Sequence, residues 1–397
     1  MYGSLHGPHR RRALTGAVLI QYSIVSGGKD GREGSRRACK MDEYAQLYAC
    51  LSKARDIWMR IDRDRGDTEA TNPEKQRLPY TTSTTTFTMA PSAITPETSP
   101  EREIYVKKPV EQTQTRSHSG SASSVKLNDG NYIPQVALGV YKAPNGQETE
   151  DAVTAALDAG YRHIDSAARY ANEEACGRAI RRWLEKTGTP REDVYICSKL
   201  WDSDHGYEAT FEALCTSLDK FGLDYLDLYL IHSPAQDEEK RLESWRALET
   251  AQKLGKVRSI GVSNFGAAHM ENLLENARVP PAVNQVEVHP FCQRQTLVEL
   301  CNKHGIKIEA YSPLARGNKL EDPTIVEIAN KYGKTPAQIL LNWSAARGNV
   351  VLPKSLTPHR IESNLNSFDF ELAAGDIARI DALEENYVTG SMHKSKD

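Results

Sequence analysis

Val194-Tyr195-Ile196-Cys197-Ser198-Lys199, Leu226-Asp227-Leu228-Tyr229-Leu230-Ile231 and Val257-Arg258-Ser259-Ile260-Gly261-Val262 are three short β-rich runs separated by longer stretches of helical periodicity. The stretch before the third run has Leu242, Trp245, Leu248 and Ala251 at spacings that fall on one helix face. Working outward, the same kind of run recurs at Val136 to Val140, Tyr161 to Ser166, Ala282 to Val288, Ile306 to Tyr311 and Asn349 to Leu352, which makes eight. Thr335-Pro336 and Thr357-Pro358 open further helices, with Thr as N-cap and Pro at the first helical position. Strict alternation of strand and helix over about 270 residues predicts an α/β chain folded as a (β/α)8 TIM barrel. An open doubly wound sheet would bring a Gly-rich first turn, and no GxGxxG follows the first strand.

In front of the barrel, Val125-Lys126-Leu127 and Tyr132-Ile133-Pro134 flank Asn128-Asp129-Gly130-Asn131, which reads as a β-hairpin cap. Before that, residues 1–124 are irregular, and from Tyr80 to Ser124 they are rich in Ser, Thr, Pro, Gln and Glu with few apolar clusters. Such a stretch cannot offset its ordering entropy, so a largely disordered extension, 1–124, is expected before a barrel domain, 125–397. Within it, Asp42 to Asp62 has the spacing of one amphipathic helix, and Met89 offers an internal start. Arg10-Arg11-Arg12 before a weak apolar stretch raises a targeting segment as the less favoured reading.

The chain of 397 residues has a formal charge of −3; residues 1–124 hold 19 Lys and Arg against 14 Asp and Glu, so the barrel region carries −8. That balance is a poor match for nucleic acid. The seven cysteines are scattered without a CxxC pair, which speaks against a disulfide framework or a zinc ribbon and for a reducing, cytoplasmic setting. No apolar run reaches the roughly 20 residues of a membrane span.

In a (β/α)8 barrel, reactive groups lie at the C-terminal ends of strands. Here those ends carry Asp165 with Tyr170 just beyond, Lys199, His232, Ser263-Asn264, Gln285, Tyr311 and Lys354-Ser355. Singly, each has an ordinary reading: a helix-capping Asp, a solvated Lys, a packed His. Jointly, Asp, Lys, Tyr and His at one mouth form an acid device. A phenol of pKa about 10 is a poor proton donor near neutrality, a neighbouring ammonium lowers that pKa, and Asp165 would keep Lys199 charged.

These residues resemble the aldo-keto reductases. The carriers are Gly160-Tyr161-Arg162-His163-Ile164-Asp165-Ser166-Ala167-Ala168-Arg169-Tyr170, Ser198-Lys199-Leu200-Trp201, Leu230-Ile231-His232-Ser233-Pro234, Gly261-Val262-Ser263-Asn264-Phe265, Asn284-Gln285-Val286-Glu287-Val288-His289-Pro290, Tyr311-Ser312-Pro313-Leu314 and Pro353-Lys354-Ser355, in family order. The resemblance implies NADPH-dependent reduction of a carbonyl without a metal, with Tyr170 as proton donor, Lys199 and Asp165 tuning it and His232 orienting the carbonyl oxygen. It further implies that Ser263, Asn264 and Gln285 hold the nicotinamide carboxamide and that Tyr311 stacks on the ring, with Ser312 and Leu314 in the same cofactor loop. Lys354, Ser355 and Arg360 would take the adenosine 2'-phosphate and Asn364 the adenine. Tyr141, Trp201, His232 and Ser233 would line the substrate pocket of a monomer or weak homo-oligomer whose partner is a small carbonyl compound, with no nucleic acid or membrane.

Three departures stand out. Glu362 is displaced by one from the family's place before Asn364, which Ser363 holds; Ser233 stands where many relatives have Trp; Tyr141 replaces a Trp common in the first loop. With short loops after His232 and Arg316 and no long tail beyond Tyr387, the pocket is expected to be open, with Tyr141 and Trp201 as its apolar walls. It would then accept small aldehydes, dicarbonyls and keto-sugars. The rival readings are a cofactor-binding regulatory or structural subunit, against which the intact Asp165, Tyr170, Lys199 and His232 argue, and a hydrolase, which would want paired carboxylates or a metal cluster.

Overall fold

The computed structural model describes residues 123–390. The readings for the extension, namely disorder, the helical spacing of 42–62 and a targeting segment, lie outside the described residues apart from its last two, Ser123 and Ser124. The chain first forms the antiparallel hairpin β1 (Ser124–Lys126) and β2 (Tyr132–Pro134), with Val125 opposite Ile133. Gly130 turns it at φ +89°, a left-handed conformation that costs glycine little. Leu127 and Ile133 are buried and plug the bottom of the barrel against Ala137, Tyr195, Leu228, Val283 and Val350. Full burial of such a side chain stabilises by about 1.5–3 kcal/mol. Asn128 and Asn131 pin the hairpin by donating to the carbonyls of Pro281 and Arg258.

Eight parallel strands follow: β3 (Leu138–Gly139), β4 (His163–Asp165), β5 (Tyr195–Leu200), β6 (Leu226–Ile231), β7 (Val257–Ser263), β8 (Val283–Glu287), β9 (Lys307–Tyr311) and β10 (Val350–Leu352). They pair in chain order, and parallel bridges Val136 to Val351 and Gly139 to Lys354 join the last to the first. The expected barrel is thus closed, with every strand inside one of the eight runs apart from Leu200 and Ser263, which extend their runs by one residue.

The helices α1 (Gln147–Ala159), α2 (Glu173–Thr187), α3 (Tyr207–Phe221), α4 (Glu238–Lys253), α5 (Ala267–Asn276), α6 (Gln295–Lys303), α7 (Pro323–Tyr332), α8 (Pro336–Ala346), α9 (Pro358–Leu365) and α10 (Ala374–Asp381) surround it. In α4, Trp245, Leu248 and Ala251 are buried as the periodicity predicts. Thr335 starts α8 through a capping box with Gln338. Thr357 takes the N-cap place of α9, yet its hydroxyl makes no cap bond; Ser355 Oγ accepts from the Thr357 amide instead. Among the described residues no helix is long and apolar enough to cross a membrane.

Inward-facing strand residues alternate with residues that meet the helices, so β7 turns Gly261 toward its neighbours where space is tight. A Cβ there would lie 2.7 Å from the Val283 carbonyl oxygen and 2.8 Å from Leu230 Cδ2. Gly261→Ala is therefore expected to lose about 1–3 kcal/mol through overpacking. Urea unfolding should show a lower midpoint at unchanged slope; an unaltered midpoint would show that β7 and β8 can part freely.

Candidate active site

Alternation along β4 and β5 turns Asp165 and Lys199 into the barrel, where they are 3% and 0% exposed. Lys199 Nζ donates to Asp165 Oδ2 at 2.7 Å and to the Ser166 carbonyl at 2.8 Å. Burial opposes the ammonium, but Asp165 and Tyr170 more than compensate and hold its pKa above the ordinary lysine value. Tyr170 ends a 3-10 turn, Ala168–Tyr170, just past β4, which sets its ring over Lys199 with Nζ 5.0 Å from the centroid. His232 follows β6, and its ring meets those of Tyr170 at 5.6 Å and Trp201 at 5.3 Å, both edge-on. The four catalytic candidates therefore share one mouth.

The expectation that Lys199 leaves the phenol more acidic than usual needs correction. Burial pushes Tyr170 up to about 12; Lys199 pulls the other way but is itself largely neutralised by Asp165, whose charge also raises the phenol. Tyr170 consequently keeps its proton throughout the neutral range.

The cofactor candidates fall into two groups. Ser263, Asn264, Gln285 and Tyr311 form one connected network: Tyr311 Oη donates to Asn264 Oδ1 at 2.9 Å, Asn264 Nδ2 donates to the His232 carbonyl and to Ser263 Oγ, and Ser263 Oγ donates to the Gln285 carbonyl. This links the Tyr311 ring to the backbone of His232. Ser312 and Leu314 are half-buried in the loop after β9, where Ser312, Ala315 and Arg316 all have positive φ. Left-handed non-glycine residues cost free energy, so this loop's shape is held by its surroundings rather than by local preference.

The second group lies after β10. Lys354 and Arg360 are exposed, and among the described residues neither pairs with a carboxylate, so both suit a phosphate. Ser355 is 8% exposed and its hydroxyl accepts from the Thr357 amide, so it shapes the start of α9 more than it offers a free donor. Asn364 is 7% exposed in the last turn of α9, and the displaced Glu362 is exposed.

At the substrate side Tyr141 is 42% exposed with its ring 5.0 Å from that of Tyr170, and Trp201 is half-buried beneath the guanidinium of Arg169 at 5.1 Å. Ser233 does not face an open pocket. It is 3% exposed and donates to Asp202 Oδ1 at 2.6 Å, tying the loops after β5 and β6 together.

The described chain beyond Tyr387 is short, yet it is held at the rim. Beyond α10 the chain returns to the mouth: the Tyr387 amide donates to the Phe291 carbonyl, Lys319 pairs with Glu385, and the amides of Thr389 and Gly390 donate to the two carboxylate oxygens of Glu287. Glu287 closes β8 and is register-paired with Tyr311, so the tail is anchored beside the ring proposed to stack on nicotinamide. Hydrogen bonds from His289 and Thr389 outweigh burial and hold Glu287 down to about 2, so this anchor stays ionised at any physiological pH. The anchor comes from single polar residues in an aperiodic segment, which gives sequence reading nothing to detect.

Comparison with known proteins agrees with this geometry. A profile of the Aldo/keto reductase family matches residues 136–385. An aldo-keto reductase of Mycolicibacterium smegmatis is 50% identical over 260 residues, covering 66% of this chain and 93% of the relative. A glyoxal reductase of Bacillus subtilis is 46% identical over 267 residues, covering 67% and 95%. A Bombyx mori aldo-keto reductase, crystallised in complex with NADP, superposes with a TM-score of 0.64 at 39% identity, covering 68% of this chain and 96% of that one. With a closed (β/α)8 barrel, the Asp165, Tyr170, Lys199 and His232 cluster at its mouth and a family match spanning that barrel, the chain belongs to the aldo-keto reductase family.

Proposed function

We propose that this reductase uses NADPH to convert small activated carbonyls, such as dicarbonyls, simple aldehydes and keto-sugars, to alcohols, with Tyr170 as proton donor. The observation that carries the reading is the fully buried Lys199, paired with Asp165 and set under the Tyr170 ring. A structural barrel has no use for a desolvated ammonium at its mouth, since burying such a charge costs several kcal/mol. NADPH would supply the hydride to the carbonyl carbon. His232 and Tyr170 flank the position of the carbonyl oxygen, His232 orienting it and Tyr170 passing its hydroxyl proton to the alkoxide as charge develops there. An alkoxide is a stronger base than a phenolate, so the transfer runs downhill even from a phenol at about 12. Lys199 then stabilises the phenolate, and Asp165 keeps Lys199 protonated and in place.

Preference for NADPH over NADH rests on Lys354 and Arg360, two exposed cations beside the start of α9 that pair with no carboxylate among the described residues. The choice of small carbonyls is supported by the glyoxal reductase relative. We assign the chemistry to the domain 125–397, distinct from the extension 1–124. A reducing compartment such as the cytoplasm suits the free cysteines among the described residues.

Tyr170→Phe should keep the fold and cofactor binding while carbonyl reduction with glyoxal falls by about 10²–10⁴; turnover within a few-fold of the original would remove Tyr170 from the mechanism. Because reduction uses the protonated phenol and alcohol oxidation uses the phenolate, the two directions should differ with pH. Reduction should be nearly flat from about pH 6 to 9, while oxidation rises about tenfold per unit over the same span. Parallel profiles for both directions would show that another group sets the proton transfer.

Arg360→Ala should weaken NADPH by about 1–3 kcal/mol and leave NADH almost untouched, measured as the ratio of their KM values. Equal losses for the two would assign Arg360 to packing of α9.

A further inference from the structure

Below the catalytic cluster, the barrel interior holds a second set of polar side chains that the mechanism above does not use. Glu309 in β9 and His163 in β4 are both fully buried. Glu309 Oε2 accepts from Gln285 Nε2 at 2.7 Å, and the same nitrogen donates to Asp165 Oδ2 at 2.9 Å. Both amide hydrogens of Gln285 are thereby used. Turning the amide over would set its carbonyl oxygen against two carboxyl oxygens at those distances.

We propose that Glu309, braced by His163, is a positioning residue that fixes the side-chain amide of Gln285 with its nitrogen toward the barrel interior and its oxygen toward the mouth. The assignment rests on the reductase reading and deepens it. The oxygen so presented can accept only from a donor, such as the amino group of a carboxamide, and the same amide steadies Asp165 under Lys199.

An ionised Glu309 would call for an imidazolium at His163, which its full burial opposes, so this arrangement favours a neutral acid. His163 Nδ1 lies 3.3 Å from the Pro134 carbonyl, which can only accept, so the ring proton belongs there and Nε2 presents a lone pair. Glu309 Oε1 faces that nitrogen across 3.6 Å, just beyond hydrogen-bond distance, and with a neutral ring two lone pairs would face each other unless the carboxyl carries its proton on Oε1. Burial agrees, holding His163 down to about 4 and, together with the charge of Asp165, pushing Glu309 up to about 8. The other groups facing the carboxyl are Asp165 from β4, Tyr195, Cys197 and Lys199 from β5 and Gln285 from β8, and burial keeps the Tyr195 phenol protonated. Burial and Asp165 keep the Cys197 thiol protonated. Donor atoms of Asp165, Cys197 and Glu309 lie within 4.8 Å of one another, but a neutral thiol and a neutral acid beside the Lys199 ammonium make a poor cation site.

The test uses the full-length protein and nitrogen-15 spectra of the Gln285 side-chain amide, assigned through its loss in Gln285→Glu. In the unaltered protein these hydrogens should exchange at least about tenfold more slowly than those of exposed glutamines. Glu309→Leu removes the acceptor at similar volume; it should abolish that protection and weaken NADPH about tenfold, while 2',5'-ADP, which lacks nicotinamide, binds as before. Glu309→Gln, which mimics a neutral acid with one donor and one acceptor, should recover most of both losses. Exchange of Gln285 at the rate of exposed glutamines, a folded Glu309→Leu that binds NADPH normally, or a Glu309→Gln as impaired as the Leu variant would each overturn the proposal. If Glu309→Leu does not fold, the exchange rate and the Gln variant decide. A protein with a protected Gln285 amide that reduces no carbonyl would instead defeat the reductase reading and leave the positioning intact.

Discussion

The ion pair between Lys199 and Asp165 is the constraint around which the barrel mouth is built. An ammonium with no exposed surface is tolerated only when its charge is matched and its hydrogens are placed, here by the Asp165 carboxylate and the Ser166 carbonyl. Both acceptors come from the end of β4, and the lysine comes from β5, whose parallel register with β4 sets Cys197 beside Asp165 and so brings Lys199 to the rim. Removing either partner would leave a buried charge uncompensated, so the pair fixes two strands, and through Tyr170 it fixes the turn that follows β4.

How much of this is written in the sequence depends on whether a residue interrupts a pattern. Asp165, Lys199, His232 and Tyr311 are legible because each is a polar residue ending a run of apolar strand residues, and such an ending is where a barrel places its chemistry. The eight runs themselves are legible because their alternation with helical periodicity admits few architectures. The network linking Tyr311, Asn264 and Ser263 is only half legible: the residues can be named, but which hydroxyl meets which amide follows from the crossing of adjacent strands. Ser233 and Ser355 show the limit. Each was placed by its neighbours in the chain, and each has its hydroxyl committed to a loop partner, Asp202 in one case and the Thr357 backbone in the other.

Electrostatics were legible in sign but not in balance. That Lys199 lowers the pKa of Tyr170 follows from charge alone, and the structure contains that effect. Burial of the phenol and the nearness of Asp165 are three-dimensional quantities, and together they exceed it. The same competition explains why the Glu287 anchor is ionised while Glu309, deeper in the same barrel, is not. Glu287 receives donors from His289, Thr389 and Gly390, whereas Glu309 has one amide donor and a neighbouring negative charge.

The deeper polar layer also bears on the fold. In the closed ring of eight strands, β4 lies four places from β8 and three from β9, so the bond from Gln285 to Asp165 and the approach of Glu309 to His163 span the barrel interior rather than joining neighbours. Apolar side chains fill a barrel in many equivalent ways, but directed bonds between opposite walls allow one register. The hairpin residues Leu127 and Ile133 close the bottom with nonspecific burial, and the crossing polar contacts above them tie β4, β8 and β9 together. The Asp165 carboxylate that holds Lys199 is thus itself held from the opposite wall, so the ion pair at the mouth depends on Gln285 and on the Glu309 carboxyl that Gln285 also engages.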